Sequence, residues 1–155
     1  MKRKDVGSWN GQVKPLVAVL ALMTVSLTGC MSGGVTNPRE QLVEAIRDFN
    51  EGVHWGRHDI ASRFVASGLR ATWAVNAERV AREVFYTTYE VQHVAWKRGE
   101  EIAKVRVAVG WYHRAAMLEK HTYTMQTWKR VKGKWILTAD TVIDGPPVGG
   151  VPEAG

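Results

Sequence analysis

The sequence predicts an α+β fold in which N-terminal helices pack on one face of a curved, four-stranded antiparallel sheet. In the first half of the chain, apolar residues recur every three or four positions, which is the period of a helix. From Phe85 onward the period becomes two, which is typical of strands. Short turn sequences separate these later runs, so consecutive strands are expected to pair as antiparallel neighbours. A length of 155 residues, with 45% hydrophobic and 23% charged residues, suits one globular domain preceded by a cleaved signal peptide.

The N-terminal residues have the pattern of a secretory signal. Four lysine or arginine residues and one aspartate precede an uncharged apolar run over residues 15–27. As a helix, this run would span about 20 Å at about 1.5 Å per residue. That is shorter than the ~30 Å hydrocarbon core of a bilayer. We therefore predict a cleaved signal peptide over residues 1–29 rather than a permanent membrane span.

The sequence Leu27-Thr28-Gly29-Cys30 resembles the bacterial lipobox. This resemblance implies cleavage before Cys30 and attachment of lipid to its thiol, so Cys30 is predicted to be a lipidation site and not a catalyst. Two or three acyl chains hold a protein stably on a membrane, here on the side facing away from the cytoplasm. Met31, in place of an Asp, implies the outer membrane in a Gram-negative cell. Residues 30–36 are small and Gly-rich, and they are expected to form a flexible tether.

Much of the net positive charge belongs to the predicted signal peptide. The whole chain has 21 Lys and Arg against 15 Asp and Glu, a net charge of +6. Without residues 1–29 the balance is 17 against 14. This modest excess, in a protein predicted to be exported, gives no reason to expect a nucleic acid partner. The single cysteine excludes an internal disulfide and a cysteine-based zinc site.

The first predicted helix begins at Asn37, which can cap it, and Pro38 suits its first position. Glu40 stands where a capping-box acid would reach back. Gly56 is expected to end this helix. Its apolar face is formed by Leu42, Ile46, Phe49 and Val53.

Two further helices are predicted before the sheet. A short one around residues 59–65 is expected to bury Ile60 and Phe64. A longer one runs from residue 67 to about residue 84. Its apolar stripe consists of Leu69, Trp73, Ala77, Val80 and Val84.

Alternation predicts four strands that begin near residues 85, 103, 118 and 135. Turns are expected at residues 97–100, 114–117 and 132–134. The domain is predicted to cover residues 37–144, and the Gly- and Pro-rich residues 145–155 to be a disordered tail. On the first strand, one face is predicted to carry Phe85, Thr87, Tyr89, Val91 and His93.

This order of elements resembles the nuclear transport factor 2-like superfamily, the cystatin-like cone that also houses ketosteroid isomerases and polyketide cyclases. The resemblance covers roughly residues 38–143. The residues that carry it are Phe49-Asn50-Glu51-Gly52-Val53-His54-Trp55-Gly56, Asp59-Ile60-Ala61-Ser62-Arg63-Phe64-Val65, Tyr89-Glu90-Val91, Gln126-Thr127-Trp128 and Gly133-Lys134-Trp135-Ile136-Leu137. They specify the fold rather than a chemistry.

The candidate catalytic residues are histidines. His93, His113 and His121 fall on or near three different strands, where a histidine inside a pocket could act as a general base. His93 and His113 share the parity of apolar neighbours, which permits an inward position. His93 is a weak candidate, because strand histidines are more often packed or exposed than catalytic.

The isomerase arrangement that the resemblance implies is missing. It combines a pocket Asp with a Tyr on the first helix, whereas this helix carries Phe49 and the first three strands carry no Asp. Asp140 and Asp144 come later, at a strand end and in the tail.

No metal or cofactor site is predicted. His54 and His58 have the four-residue spacing of a metal pair on a helix, but Gly56 is expected to end the helix between them. They are interpreted as part of a solvated corner between helices. The sequence also lacks a Walker loop, a nucleophile elbow and a dinucleotide-binding glycine pattern.

Aromatic residues could fill the core or line a cavity. In the second interpretation they would surround a flat or apolar ligand, and in the first they would stabilise a small domain. The proposed lining residues are Trp73, Tyr89, Trp111, Trp128 and Trp135.

These observations favour a lipid-anchored, non-enzymatic protein of the cell envelope that binds a partner protein or an apolar ligand near the membrane. One alternative is a small isomerase- or cyclase-like enzyme that uses a pocket histidine such as His93 as general base. Another is a self-associating scaffold or homodimer, because sheets of the resembled superfamily often pair face to face.

Overall fold

The computed structural model describes residues 37–149, and helices precede strands there as predicted. In this part of the chain, the helices are α1 (Pro38–His54), α2 (His58–Ala61) and α3 (Ser67–Glu83), with a 3₁₀ turn at Ser62–Phe64. The strands are β1 (Val84–Ala95), β2 (Ile102–His113), β3 (Glu119–Val131) and β4 (Lys134–Asp144). They form one antiparallel sheet in the order β1-β2-β3-β4. The predicted α+β class is confirmed. The predicted signal peptide, Cys30 and the tether lie outside the described residues, as do residues 150–155.

Both ends of α1 are set by residues that the sequence singles out. The side chain of Asn37 accepts a hydrogen bond from the backbone N–H of Arg39 at 3.1 Å, and Pro38 follows as the first helical residue. At the other end, Gly56 has a φ of +68°, which is the left-handed conformation that glycine adopts most easily. The N–H of Arg57 donates to the carbonyl of Gly52 at 2.7 Å, so the end of the helix is a Schellman motif.

The core lies between α1 and the face of the sheet that α1 covers, here called the inner face. Residues 37–149 belong to one compact unit, and the buried apolar side chains described there form a hydrophobic core within it. Burial of apolar area is the main stabilising term. The largest contributions come from Leu42, Ile46, Phe49, Val105, Val107, Trp111, Trp128, Trp135 and Leu137.

The helix α3 contributes less to the core than its apolar stripe predicts. Val80 is its buried residue, and Trp73 is half-buried. Leu69, which was predicted to lie on the buried face, is 48% exposed. A cavity lined by Trp73, Ala77 and Val80 separates the middle of α3 from the sheet, as described below.

Two bulges in β1 change the predicted alternation of its side chains. The pairing with β2 skips one residue between Tyr86 and Thr88 and another between Val91 and His93. Each extra residue reverses the alternation that follows it. Tyr86 and Tyr89 therefore both lie on the inner face, opposite Trp111 and Val109 of β2.

His93 lies on the outer face of the sheet, paired with Arg106, and it is exposed. The prediction that its alternation could turn it inward is wrong, because the second bulge precedes it. Phe85 also lies on the outer face, where its ring stacks on Tyr112 at 5.2 Å.

The residues that follow β4 pack against the domain. The hydroxyl of Thr122 donates a hydrogen bond to the carbonyl of Pro146, and Arg79 Nη1 donates to the carbonyl of Gly149 at 3.3 Å. Val148 packs against the core. The predicted disordered tail thus differs from the structure for residues 145–149, because apolar contact and two side-chain donors hold this segment.

Candidate functional site

A cavity of about 340 Å³ lies between α1, α3 and the inner face of the sheet. Its volume is in the range of small-molecule sites. One wall is apolar and comes from Phe49, Val53, Trp73, Val80 and Val109. The segment after β4 forms another part of the cavity wall through Pro147 and Val148.

Polar groups converge at one end of this cavity. Asp140 is paired with Gln126 of β3. Gln126 lies on the inner face of the sheet, so Asp140 lies on that face as well. Thr124 of β3 and the two tyrosines of β1, Tyr86 and Tyr89, line the same space. The first bulge of β1 is what places both phenol rings on this side, with centroids 6.5 Å apart.

The side-chain amide of Gln126 organises the residues behind the cavity. Its Oε1 accepts a hydrogen bond from Trp128 Nε1 at 3.1 Å. Its Nε2 donates to Asn50 Oδ1 at 2.8 Å and lies 3.5 Å from the hydroxyl oxygen of Tyr89. Because an indole N–H can only donate, this network fixes the orientation of both amides.

Burial changes the protonation of the polar cluster. It raises the pKa of the Asp140 carboxyl above its ordinary value of 3.8, and the side chains of Thr124 and Gln126 oppose this shift because they stabilise the carboxylate. Burial and the charge of Asp140 raise the pKa of Tyr86 to about 12. The pKa of Tyr89 is also raised, with burial as the largest cause. At neutral pH both phenols are therefore uncharged donors.

Asp140 keeps contact with solvent although its pKa is raised. The residue as a whole is exposed, while protein atoms surround its carboxyl closely enough to remove part of its hydration. The cavity is therefore open near Asp140. A bound molecule could place a hydroxyl or N–H group against the carboxylate and an oxygen against a phenol. A carboxyl with a raised pKa can also take up or release a proton.

Two of the five predicted lining residues face the cavity. Trp73 and Tyr89 line it. Trp111, Trp128 and Trp135 are instead buried in the core, which corrects the prediction for these three residues. Each has a hydrogen-bond acceptor for its indole N–H, namely Thr122 Oγ1, Gln126 Oε1 and the carbonyl of Pro38, respectively. Buried indole rings whose N–H groups are hydrogen-bonded in this way stabilise the core of the domain.

The predicted histidines are not brought together. His93 and His121 lie on the outer face, each exposed, and His113 lies on the inner face at the end of β2. Gly56 separates His54 from His58, as predicted, and His58 contacts Trp73 edge to face at 6.1 Å. In residues 37–149 no group of three or more His, Cys, Asp or Glu side chains could hold a metal ion.

Asp140 and Thr124 were not among the predicted site residues. The register between β3 and β4 shifts between Thr127 and Trp128, so that Trp128 pairs with Leu137 and Gln126 pairs with Asp140. Simple alternation from Trp135 and Leu137 would place Ala139 on the inner face instead. The sequence did show an acidic residue, Asp140, between two apolar segments of a strand. It could not show which face of the sheet Asp140 occupies, because that depends on this bulge.

Comparisons with known proteins concern the fold. No family model and no curated protein matches the sequence. The structure is similar to a nuclear transport factor 2-like protein from Cytophaga hutchinsonii, with a TM-score of 0.55 and 10% identity over 68% of this chain and 97% of that chain. It is also similar to a cystatin-like fold protein from Nostoc punctiforme, with a TM-score of 0.53 and 9% identity over 70% and 91% of the two chains.

A third similar structure is a SEC-C motif containing protein from Rhodopseudomonas palustris, with a TM-score of 0.56 and 10% identity over 69% of this chain and 89% of that chain. At such identities the similarity establishes the fold alone. The domain has a cystatin-like fold of the kind found in nuclear transport factor 2-like proteins, which confirms the fold that the resemblance implied. None of the helices in residues 37–149 has the length and apolar character needed to cross a bilayer.

Proposed function

We propose that this protein is lipid-anchored in the cell envelope and that its folded domain binds a small, largely apolar ligand in the cavity between α1, α3 and the sheet. The observation that carries the proposal is the cavity itself, about 340 Å³ with an apolar wall and one polar end. Such an arrangement provides affinity through apolar contact and orientation through a few hydrogen bonds. The ligand would be flat or branched, with one hydroxyl or N–H group directed at Asp140.

The lipid anchor is supported by the N-terminal sequence. A basic segment, a short uncharged run and the sequence Leu27-Thr28-Gly29-Cys30 follow one another in the order of a lipoprotein signal. Acyl chains on Cys30 would hold the domain on a membrane surface facing away from the cytoplasm, and Met31 favours the outer membrane in a Gram-negative cell.

Metabolic labelling tests the anchor. Cells that express the full chain are grown with radioactive palmitate, and the wild type is compared with Cys30→Ala. The wild type should be labelled, and the variant should be unlabelled and retain its signal peptide. Because position 30 holds the sole cysteine of the sequence, no second thiol can accept the label. Equal labelling of the two proteins would contradict the anchor.

Ligand binding in the cavity is tested with residues 36–155 and the neutral dye N-phenyl-1-naphthylamine. Ala77 lines the cavity, whereas Ala71 lies on an exposed part of α3. Ala77→Phe should reduce dye affinity at least tenfold because the new ring occupies the cavity. Ala71→Phe adds the same side chain outside it and should leave affinity unchanged. Equal affinity in both variants would rule out this cavity as the binding site.

A second candidate function is proton transfer on a bound ligand. The observation that favours it is the Asp140 carboxyl, whose raised pKa suits exchange of a proton, beside the uncharged Tyr86 and Tyr89 phenols. In this form of the enzyme hypothesis Asp140 replaces His93 as the base. Incorporation of solvent deuterium next to the carbonyl of a β,γ-unsaturated ketone, followed by NMR, tests it. Exchange should be faster with the wild type than with Asp140→Asn, and equal rates would reject it.

A further inference from the structure

A second and larger depression lies on the other side of Tyr89, between α1 and β1. It has a volume of about 620 Å³ and is here called the α1–β1 groove. Its sides are mostly apolar. They are formed by Val43, Ile46, Trp55, Val91 and Val94. Four of these side chains, all except Ile46, are exposed in the folded domain, so the groove leaves apolar surface in contact with water.

An unsatisfied hydrogen-bond donor lies in the groove. Asn50 lines it and is only 4% exposed. Its Oδ1 accepts from Gln126 Nε2, and the Trp128 indole fixes this orientation as described above. Within residues 37–149, Asn50 Nδ2 has no hydrogen-bond acceptor. A buried amide without a partner is costly, typically about 1–3 kcal/mol, so an acceptor supplied by a molecule in the groove would stabilise this atom.

A second polar atom lies one helical turn further along α1. His54 also lines the groove, and its buried Nδ1 likewise has no partner within residues 37–149. Residues four apart on a helix are neighbours on one side. The groove is therefore lined by two polar side chains one helical turn apart, beside its apolar walls.

The charges around the groove balance. Arg47 and Glu51 line it with one charge of each sign, and Asp48, which pairs with Arg47 at 3.0 Å, is not one of the lining residues. The groove thus has no excess of either sign with which to select a charged head group. An uncharged ligand fits this arrangement.

The shape of β1 disfavours an added peptide strand. β1 is at one edge of the sheet, but its two bulges interrupt the regular spacing of backbone groups along it. Bulges on an edge strand discourage pairing with another strand. The unpaired side-chain amide of Asn50 suits a ligand with a single acceptor, whereas an added strand would form a ladder of backbone hydrogen bonds.

We propose that the α1–β1 groove binds an uncharged single-chain acyl ester or acyl amide, with the chain along the apolar walls and the carbonyl oxygen accepting from Asn50 Nδ2. The part of the head group beyond the carbonyl lies near His54. This site is separate from the cavity beside Asp140, and it does not depend on the lipid anchor.

Calorimetric titration of residues 36–155 compares two probes below their critical micelle concentrations, 1-monolauroylglycerol and 1-O-dodecylglycerol. They have the same chain length and head group, but the ether lacks the carbonyl acceptor. The ester should bind at least fivefold more tightly, because the ether leaves Asn50 Nδ2 unpaired. Equal affinity for the two probes would overturn the proposal.

Two pairs of variants locate the ester. Val43→Glu places a charge in the groove and should abolish binding, while Val75→Glu makes the same change at an exposed position on α3 and should not. Ala77→Phe, which blocks the other cavity, should leave ester binding intact. Loss of binding in Ala77→Phe alone would assign the ester to the cavity beside Asp140 and refute the groove as its site.

A spectroscopic measurement identifies the donor directly. The side-chain NH₂ resonances of Asn50, assigned by their absence in Asn50→Asp, should move downfield when the ester binds. Asn50→Asp keeps an acceptor toward Gln126 and replaces the donor with an oxygen, so it should weaken ester binding while leaving ether binding much less affected. Unchanged Asn50 resonances at saturating ester would contradict the proposed contact.

Discussion

Gln126 connects the hydrophobic core with both depressions in the domain. Its amide is fully buried, and it bonds Trp128 on one side and Asn50 on the other. A buried amide is tolerated when its donors and acceptor are satisfied, and this network leaves Asn50 Nδ2 without an acceptor among residues 37–149. One glutamine thereby links Trp128 in the core to Asn50, which lines the α1–β1 groove.

Trp128 is the residue whose loss should destabilise the domain most clearly. Its side chain is 0% exposed, and it contacts the Phe49 ring edge to face at 5.7 Å. Trp128→Ala should lower the free energy of unfolding by about 3–5 kcal/mol, because a large cavity remains. Urea denaturation measures the change. Trp55→Ala, at a position 69% exposed, should change it by less than about 0.5 kcal/mol. A loss below about 1 kcal/mol for Trp128→Ala would contradict its place in the core.

Asp140 should make stability depend on pH. Its pKa is raised in the folded state, so the folded protein holds this proton more tightly than the unfolded chain does. The favourable contribution is present below the unfolded pKa of about 3.9 and is lost as pH rises through the folded pKa. Asp140→Asn should therefore melt at a higher temperature than the wild type at pH 7.

The low-pH measurement is the internal control for this variant. Near pH 3.5 the difference in melting temperature between Asp140→Asn and the wild type should be small, because the carboxyl is then largely protonated in both states. It should grow as pH rises and level off above the folded pKa. A difference that is constant with pH, or that favours the wild type at neutral pH, would show that burial does not raise this pKa.

At the scale of elements, irregular positions in the strands determine which side chains reach the cavity. The bulges in β1 bring Tyr86 and Tyr89 to the same face and leave His93 on the other. The register shift between β3 and β4 places Asp140 opposite Gln126. Helix α1, in contrast, follows its apolar spacing and caps closely, since it begins and ends where its sequence predicts.

The hairpin between β3 and β4 is strained at one residue. Lys132 and Gly133 form its two-residue turn, and both have positive φ, 49° and 80°. Asparagine adopts this conformation more easily than lysine. Lys132→Asn should therefore raise the free energy of unfolding by about 0.5 kcal/mol, as measured by urea denaturation. Lys132→Val is the opposing control, because a β-branched residue should lower it, and stabilisation by valine would contradict the turn conformation.

At the scale of the whole domain, helices on one side of the sheet leave room for a cavity that the segment after β4 partly covers. Thr122 joins these parts, because its hydroxyl accepts from Trp111 Nε1 at 2.8 Å and donates to the Pro146 carbonyl. The last described residues therefore belong to the packed domain and contribute to the wall of the proposed binding site.

Ending the chain at Asp144 should destabilise the domain by about 1–3 kcal/mol. The truncation removes the acceptor for Thr122, the acceptor that Gly149 offers Arg79, and the apolar contact of Val148. Thermal or urea unfolding measures the loss. Val148→Ala keeps both backbone acceptors and should cost only about 1 kcal/mol. A truncated chain as stable as the longer one would mean that these contacts do not contribute to stability.

Much of the fold could be predicted, and less of the candidate site. The spacing of Leu42, Ile46 and Phe49 predicts the buried face of α1, and alternation from Ala103 to Trp111 predicts the inner face of β2. The cavity residue Asp140 was missed, because it follows a bulge that sequence alternation does not reveal. The aromatic residues could be recognised as core or cavity lining, but the choice between these roles required their neighbours.

The sequence by itself determined the order of helices and strands, the caps of α1, the turn at Gly133 and the inner face of β2. These features depend on local backbone preferences and on apolar spacing along one element, both of which are present in the linear chain. Only the tertiary structure decided that Asp140 faces the cavity, that His93 faces away from it and that Asn50 Nδ2 has no acceptor within residues 37–149. The physical reason is that these outcomes depend on pairing register and on partners far apart in sequence, such as Gln126 and Asn50.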